Sequence, residues 1–127
     1  MASVIKAVSF DAADALAPAT FWAAALGSDV DEDSTADKAF VEAAGWGGPN
    51  IWFFRVPEGK TAKNRMHIDI RVAGEPPWDM GEREQLIRAK VADLAARGAA
   101  FVREESYGDQ LGHVVLLDPE GNEFCVA

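Results

Sequence analysis

The sequence has few of the residues on which several classes of protein depend. It contains one cysteine, Cys125, so it cannot form an intramolecular disulfide and is not a disulfide scaffold. No apolar run approaches the roughly 18 residues that suggest a membrane-spanning helix. The N-terminal stretch has neither a basic flank nor an uninterrupted apolar run, so we expect no secretion signal and a cytoplasmic protein.

Positive charge is also scarce. The 127 residues include 12 lysines and arginines against 21 aspartates and glutamates, which gives a formal net charge of −9. A surface with that charge repels phosphate backbones and anionic lipids, so we expect neither nucleic acid nor a membrane as a partner. The remaining composition, 49% hydrophobic and 26% charged, is that of an ordinary globular chain with the length of one domain.

The pattern of apolar and turn-forming residues predicts the same order of elements in each half of the chain. Each half reads as a strand, a helix and three strands, so we expect one domain (1–127) built from two βαβββ modules at about 3–57 and 65–127. Module 1 is predicted to have strands at 5–11, 29–32, 39–43 and 51–56, and a helix that Asp14 caps and Gly27 ends. Module 2 is predicted to have strands at 66–72, 100–104, 113–117 and 123–127, and a helix at 82–97.

Alternation along the strands of module 2 predicts which side chains share a face. In the strand at 66–72, Ile68 and Ile70 are predicted to face the helix, which leaves His67 and Asp69 on the other side. In the last strand, the apolar pair at 124 and 126 takes the helix side. Glu123 and Cys125 are therefore predicted to lie on the same face as His67 and Asp69.

The corresponding strands of module 1 are predicted to supply an apolar wall. In the first strand, Val8 and Phe10 are expected to face the helix, which leaves Ala7 on the other side. In the strand at 51–56, Ile51 and Phe53 are expected to share that other face, although both faces of this strand are apolar enough for the phase to be inverted. A site lined by this apolar wall and by the polar face of module 2, here called the polar wall, would suit a small molecule with an apolar body and one polar end.

The polar wall admits two interpretations. His67 beside Glu123 or Asp69 is a common pairing for general base catalysis, because a carboxylate orients the imidazole and raises its pKa. The same side chains could equally form a solvated, hydrogen-bonded sheet face with no chemical role. Cys125 is more readily explained as a packing residue than as a nucleophile.

Three segments resemble the vicinal oxygen chelate superfamily, which includes glyoxalases, extradiol dioxygenases and bleomycin and fosfomycin resistance proteins. They are FWAAALG at 21–27, MHIDIRV at 66–72 and DPEGNEFCV at 118–126. The resemblance implies an α+β fold in which the two modules form a curled, mixed sheet, an incomplete barrel around a cleft. It also implies a homodimer, since members of the superfamily commonly pair their modules.

Metal-binding members of the superfamily draw four ligands from the first and last strands of the modules. These positions fall on Ala7, Phe53, His67 and Cys125, and a shift in phase would put Glu123 in place of Cys125. Ala7 and Phe53 have no donor atom, so we expect a small-molecule-binding protein with neither the usual metal nor another cofactor. The alternatives are a lyase, isomerase or dioxygenase that uses His67 with Glu123, with or without a metal, and an interaction domain with no ligand.

Overall fold

The computed structural model describes residues 1–127, apart from the side chain of Ala44. The chain divides into two compact units, Met1–Thr61 and Ala62–Ala127, and each has a strand, then a helix, then further strands. The first unit comprises β1 (Ala7–Ala12), α1 (Leu16–Leu26), β2 (Lys38–Val41), a short 3-10 helix (Ala43–Gly45) and β3 (Asn50–Arg55). The second comprises β4 (Ile68–Ile70), α2 (Met80–Ala96), β5 (Ala100–Tyr107), β6 (Gln110–Leu117) and β7 (Glu123–Val126).

The two sheets share one topology, which confirms the α+β class and the repeated module. In the first unit the strand order is β1-β3-β2, and in the second it is β4-β7-β6-β5. In each sheet the first strand is parallel to the last strand, and the last is antiparallel to the one before it. The strand predicted at 29–32 is reduced to a single antiparallel bridge between Val30 and Val41, which occupies the place that β5 has in the second sheet.

Capping interactions at Asp14, Gly27 and Asp79 explain where the helices begin and end. Asp14 Oδ1 accepts hydrogen bonds from the backbone N–H groups of Leu16 and Ala17, at 2.9 and 3.2 Å, and so caps α1. Gly27 ends α1 with φ +67°, a left-handed conformation that glycine adopts at little cost. The second helix begins at Met80, two residues before the predicted start, because Asp79 accepts a hydrogen bond from the N–H of Glu82 at 2.9 Å. Neither helix is long and apolar enough to cross a membrane.

The predicted orientation of β3 is wrong. Parallel pairing places Phe53 beside Phe10, and their rings stack with centroids 5.5 Å apart. The Phe10 ring in turn lies 6.4 Å from that of Trp22 on α1. Ile51 and Phe53 therefore lie on the helix side and are buried in the core of the first unit. The opposite face of β3 carries Trp52 and Phe54.

The second unit buries one face of its sheet under α2. The apolar side chains at 114 and 116 of β6 and at 124 and 126 of β7 are almost fully buried, and α2 packs on these two strands. The buried side chains of α2 are those of Ile87, Leu94 and Arg83, the last of which lies one turn before Ile87. Leu86, beside Ile87 on the helix, is 48% exposed. The face opposite α2, here called the polar face, carries the predicted site residues of β4 and β7.

Candidate functional site

Three titratable side chains meet on the polar face. Pairing of β4 with β7 places Asp69 beside Cys125, and His67 lies just before β4. The Nδ1 atom of His67 is 3.3 Å from Asp69 Oδ1 and 3.8 Å from Cys125 Sγ. One donor atom from each residue lies within 4.8 Å of the other two. This group, here called the polar cluster, arises because side chains two residues apart on a strand share a face.

Cys125 is a protonated thiol at neutral pH. Burial, followed by its hydrogen bond with Asp69 and the charge of that carboxylate, raises the pKa of the thiol from 9.0 to about 11. Only the thiolate is a strong nucleophile or a metal ligand, so the surroundings of Cys125 oppose both roles at neutral pH. Cys125 can instead offer a weak S–H donor to a neighbouring oxygen.

Glu123 takes part in an ion pair at the edge of the polar cluster. Its carboxylate lies 3.0 Å from Lys63 Nζ, and its side chain is 13% exposed. Asp69 is the carboxylate that hydrogen-bonds His67, which corresponds to one of the two pairings predicted from the sequence. His67 and Asp69 remain accessible, so a ligand can reach their polar atoms.

The remaining predicted site residues belong to the first unit. Ala7 begins β1 and alternates with Val8 and Phe10, so it lies on the face away from α1. Ile51 and Phe53 lie on the opposite face, inside the core, and do not form a wall with Ala7. The aromatic side chains that do share the face of Ala7 are Phe40, Trp52 and Phe54, whose rings contact one another edge to face.

The polar cluster provides nitrogen, oxygen and sulfur donors, a set that suits a zinc-like cation with three protein ligands and an open position. It does not reproduce the four-ligand set expected from the resemblance, because Ala7 and Phe53 have no donors. A metal would also have to displace the proton of Cys125 at neutral pH.

Comparison with known proteins gives a consistent family. Residues 7–127 match the model of a family described as glyoxalase-like domain. A glyoxalase/bleomycin resistance protein/dioxygenase family enzyme from Burkholderia phytofirmans PsJN superposes with a TM-score of 0.74 at 17% identity, over 98% of this chain and 97% of that one. No curated protein matches the chain significantly.

Two further solved structures are a ligand complex and a named enzyme. A mutant fosfomycin resistance protein from Listeria monocytogenes, complexed with Mn(II) and 1S,2S-dihydroxypropylphosphonic acid, gives a TM-score of 0.68 at 12% identity, over 99% of this chain and 89% of that one. Lactoylglutathione lyase from Agrobacterium tumefaciens gives 0.63 at 14% identity, over 99% and 93% of the two chains. At such identities these similarities establish the fold alone.

Proposed function

This chain belongs to the glyoxalase-like domain family of the vicinal oxygen chelate superfamily, and on that premise we propose that it binds a small molecule at the polar cluster without the usual metal quartet. The observation that carries the proposal is the convergence of His67, Asp69 and Cys125 on one sheet face, with their donor atoms within 4.8 Å. The ligand expected there is uncharged and carries two neighbouring oxygen atoms.

The donors and acceptors of the polar cluster suit such a ligand. Asp69 can accept a hydrogen bond from a ligand hydroxyl, and His67 can donate to a carbonyl oxygen or accept from a second hydroxyl, depending on its tautomer. Cys125 adds a neutral S–H group beside them. The fosfomycin resistance protein that shares this fold is complexed with Mn(II) and a dihydroxypropylphosphonic acid, and its two adjacent hydroxyls are the one feature of that ligand that we carry over.

The second candidate is an enzyme of the lyase, isomerase or dioxygenase type. The observation that favours it is the 3.3 Å contact between His67 Nδ1 and Asp69 Oδ1, since a carboxylate beside an imidazole orients the ring for proton transfer. His67 would then remove a proton from the carbon next to a ligand carbonyl, and Glu123 would line the site. If this form uses a metal, His67 would be a ligand and not the base: His67, Asp69 and Cys125 would hold the metal, which would polarise the ligand's oxygens.

A binding experiment with His67→Ala separates these candidates. The probe is 2-hydroxy-1-phenylethanone, an uncharged aromatic hydroxyketone with two adjacent oxygens. We expect one site per chain by calorimetry, and His67→Ala to weaken binding by about 2- to 10-fold, the effect of one hydrogen bond. The matched control is His113→Ala, because His113 hydrogen-bonds Tyr107 rather than the polar cluster; it should leave the affinity unchanged.

The same samples in D₂O report on catalysis. We expect the carbinol protons of the probe to exchange no faster with the protein than with buffer. Exchange that is accelerated, and that falls by about 10²- to 10⁴-fold in His67→Ala, would establish the enzyme instead. Equal affinities for the unmodified chain, His67→Ala and His113→Ala would contradict binding at the polar cluster.

We also propose that the chain forms a homodimer. Strand β5 lies at the edge of the second sheet, pairs only with β6 among the described residues, and exposes Phe101 and Val102. An edge strand with exposed apolar side chains favours association. Sedimentation should give a species of about 27 kDa, twice the 13.6 kDa of one chain. Phe101→Glu should shift it towards the monomer, and a monomer of the unmodified chain at tens of micromolar would refute the dimer.

A further inference from the structure

Arg83 is a buried cation without an anionic partner. It lies in the first turns of α2 and is 3% exposed. Its guanidinium donates to the backbone carbonyls of Leu111, at 2.8 Å, and Gly112. No described carboxylate lies within ion-pair distance of it, and its Nε is buried without a hydrogen-bond partner. Burial of a charge is costly unless its hydrogen-bonding groups are paired, so this arrangement leaves an unmet requirement for a negative charge.

Two aromatic rings hold the guanidinium in place. Its central carbon lies 5.0 Å from the centre of the Trp78 ring and 5.9 Å from that of Tyr107. Trp78 is fixed by a hydrogen bond of 2.9 Å from its indole N–H to the carbonyl of Gly74. Tyr107 packs directly over Gly112, where a side chain would collide with the ring. The rings stabilise the cation but supply no negative charge.

A cavity of about 460 Å³ opens beside this group, within the second unit. Its lining includes Arg71, Arg83, Trp78 and Tyr107, with Asp69 also contributing. Cavities of this size accept small organic ligands. Arg71 forms an ion pair with Glu75 at 2.8 Å, so Arg83 is the arginine of this lining that has no ion-pair partner among the described residues. The N-terminal end of α2 adds a favourable dipole for an anion.

We propose that this cavity binds a small aromatic carboxylate. The carboxylate lies towards Arg83 and Arg71, where it neutralises the buried guanidinium, and the ring packs against Trp78. A purely structural role for Arg83, as a tie between α2 and the start of β6, accounts for the two carbonyl contacts. It does not account for the unpaired Nε or for the aromatic-walled cavity beside a cation.

The test uses benzoate and its uncharged analogue benzamide, titrated into the full chain by calorimetry. Benzoate should saturate one site, and benzamide should bind at least about tenfold more weakly because it lacks the charge that Arg83 pairs with. The indole N–H resonance of Trp78, assigned with Trp78→Phe, should shift during the benzoate titration. Equal affinity for benzoate and benzamide, or no binding of benzoate, would overturn the proposal.

Charge variants make the test independent of the folding role of Arg83. Arg71→Gln should weaken benzoate binding by roughly 2- to 5-fold, whereas Asp69→Asn should strengthen it by about twofold because a like charge is removed. Arg97→Gln removes an arginine from the far end of α2 and should have no effect. Equal losses in Arg71→Gln and Arg97→Gln would show non-specific attraction and contradict the site.

The polar cluster and this cavity share Asp69 but not His67, Arg71 or Arg83, so this proposal and the proposed function fail separately. Binding of 2-hydroxy-1-phenylethanone depends on His67 and should not respond to Arg71→Gln. Benzoate binding depends on Arg71 and Arg83 and should not respond to His67→Ala. A loss of benzoate binding in His67→Ala as large as that in Arg71→Gln would place the acid at the polar cluster and overturn its binding beside Arg83.

Discussion

Phe53→Ala should destabilise the protein by about 3 to 5 kcal/mol, the cost of removing a large buried aromatic side chain. Phe53 is 0% exposed, and its ring stacks on Phe10, so the substitution leaves a cavity between β1, β3 and α1. The free energy of unfolding is measured by urea denaturation. The control Leu86→Ala truncates a half-exposed side chain on α2 and should cost much less.

This result also decides the role of Phe53. If it were part of a ligand-binding wall, as predicted from the sequence, Phe53→Ala would reduce ligand affinity and leave the stability nearly unchanged. A loss of less than about 1 kcal/mol in stability would contradict the packing described here.

Asp118→Ala should destabilise the protein by about 2 to 4 kcal/mol, through loss of hydrogen bonds to a charged group. Asp118 is 3% exposed, and its Oδ1 accepts from the N–H groups of Glu120 and Asn122 at 2.9 and 2.8 Å. These bonds shape the turn that leads into β7. The DPEGN motif at 118–122 therefore sets the register in which β7 presents Glu123 and Cys125.

Two comparisons isolate this effect in urea denaturation. Asp118→Asn keeps an oxygen acceptor and should recover part of the lost stability. Asp109→Ala removes the same charge from the exposed turn between β5 and β6 and should change stability little. A loss in Asp109→Ala equal to that in Asp118→Ala would show that net charge, and not the turn, is responsible.

The polar cluster could be predicted from the sequence because its strands have one apolar and one polar set of residues. In MHIDIRV the isoleucines must be buried, so His67 and Asp69 point away from the helix, and the same reasoning places Glu123 and Cys125. In β3 both sets are apolar, so alternation could not choose between them. Pairing of β3 with β1 settles the phase, since Phe53 then lies beside Phe10.

The cavity beside Arg83 could not be predicted from the sequence. Helical periodicity selects apolar residues for the buried face, and an arginine in the first turns of a helix is normally solvated. Its burial depends on carbonyl groups 28 and 29 residues away, at Leu111 and Gly112. The strands predicted at 100–104 and 113–117 are also longer in the structure. The first continues to Tyr107 and the second begins at Gln110, because the two form a hairpin whose turn contains Gly108 with φ +65°.

Titration of 2-hydroxy-1-phenylethanone into the unmodified chain, once treated with EDTA and once supplied with Zn²⁺ or Mn²⁺, tests the central claim most directly. We predict the same affinity in both samples and no stoichiometric metal by elemental analysis, because Ala7 and Phe53 provide no ligands and Cys125 keeps its proton at neutral pH. Binding that appears only with a metal near one per chain, and that disappears in His67→Ala, would contradict metal-independent binding at the polar cluster.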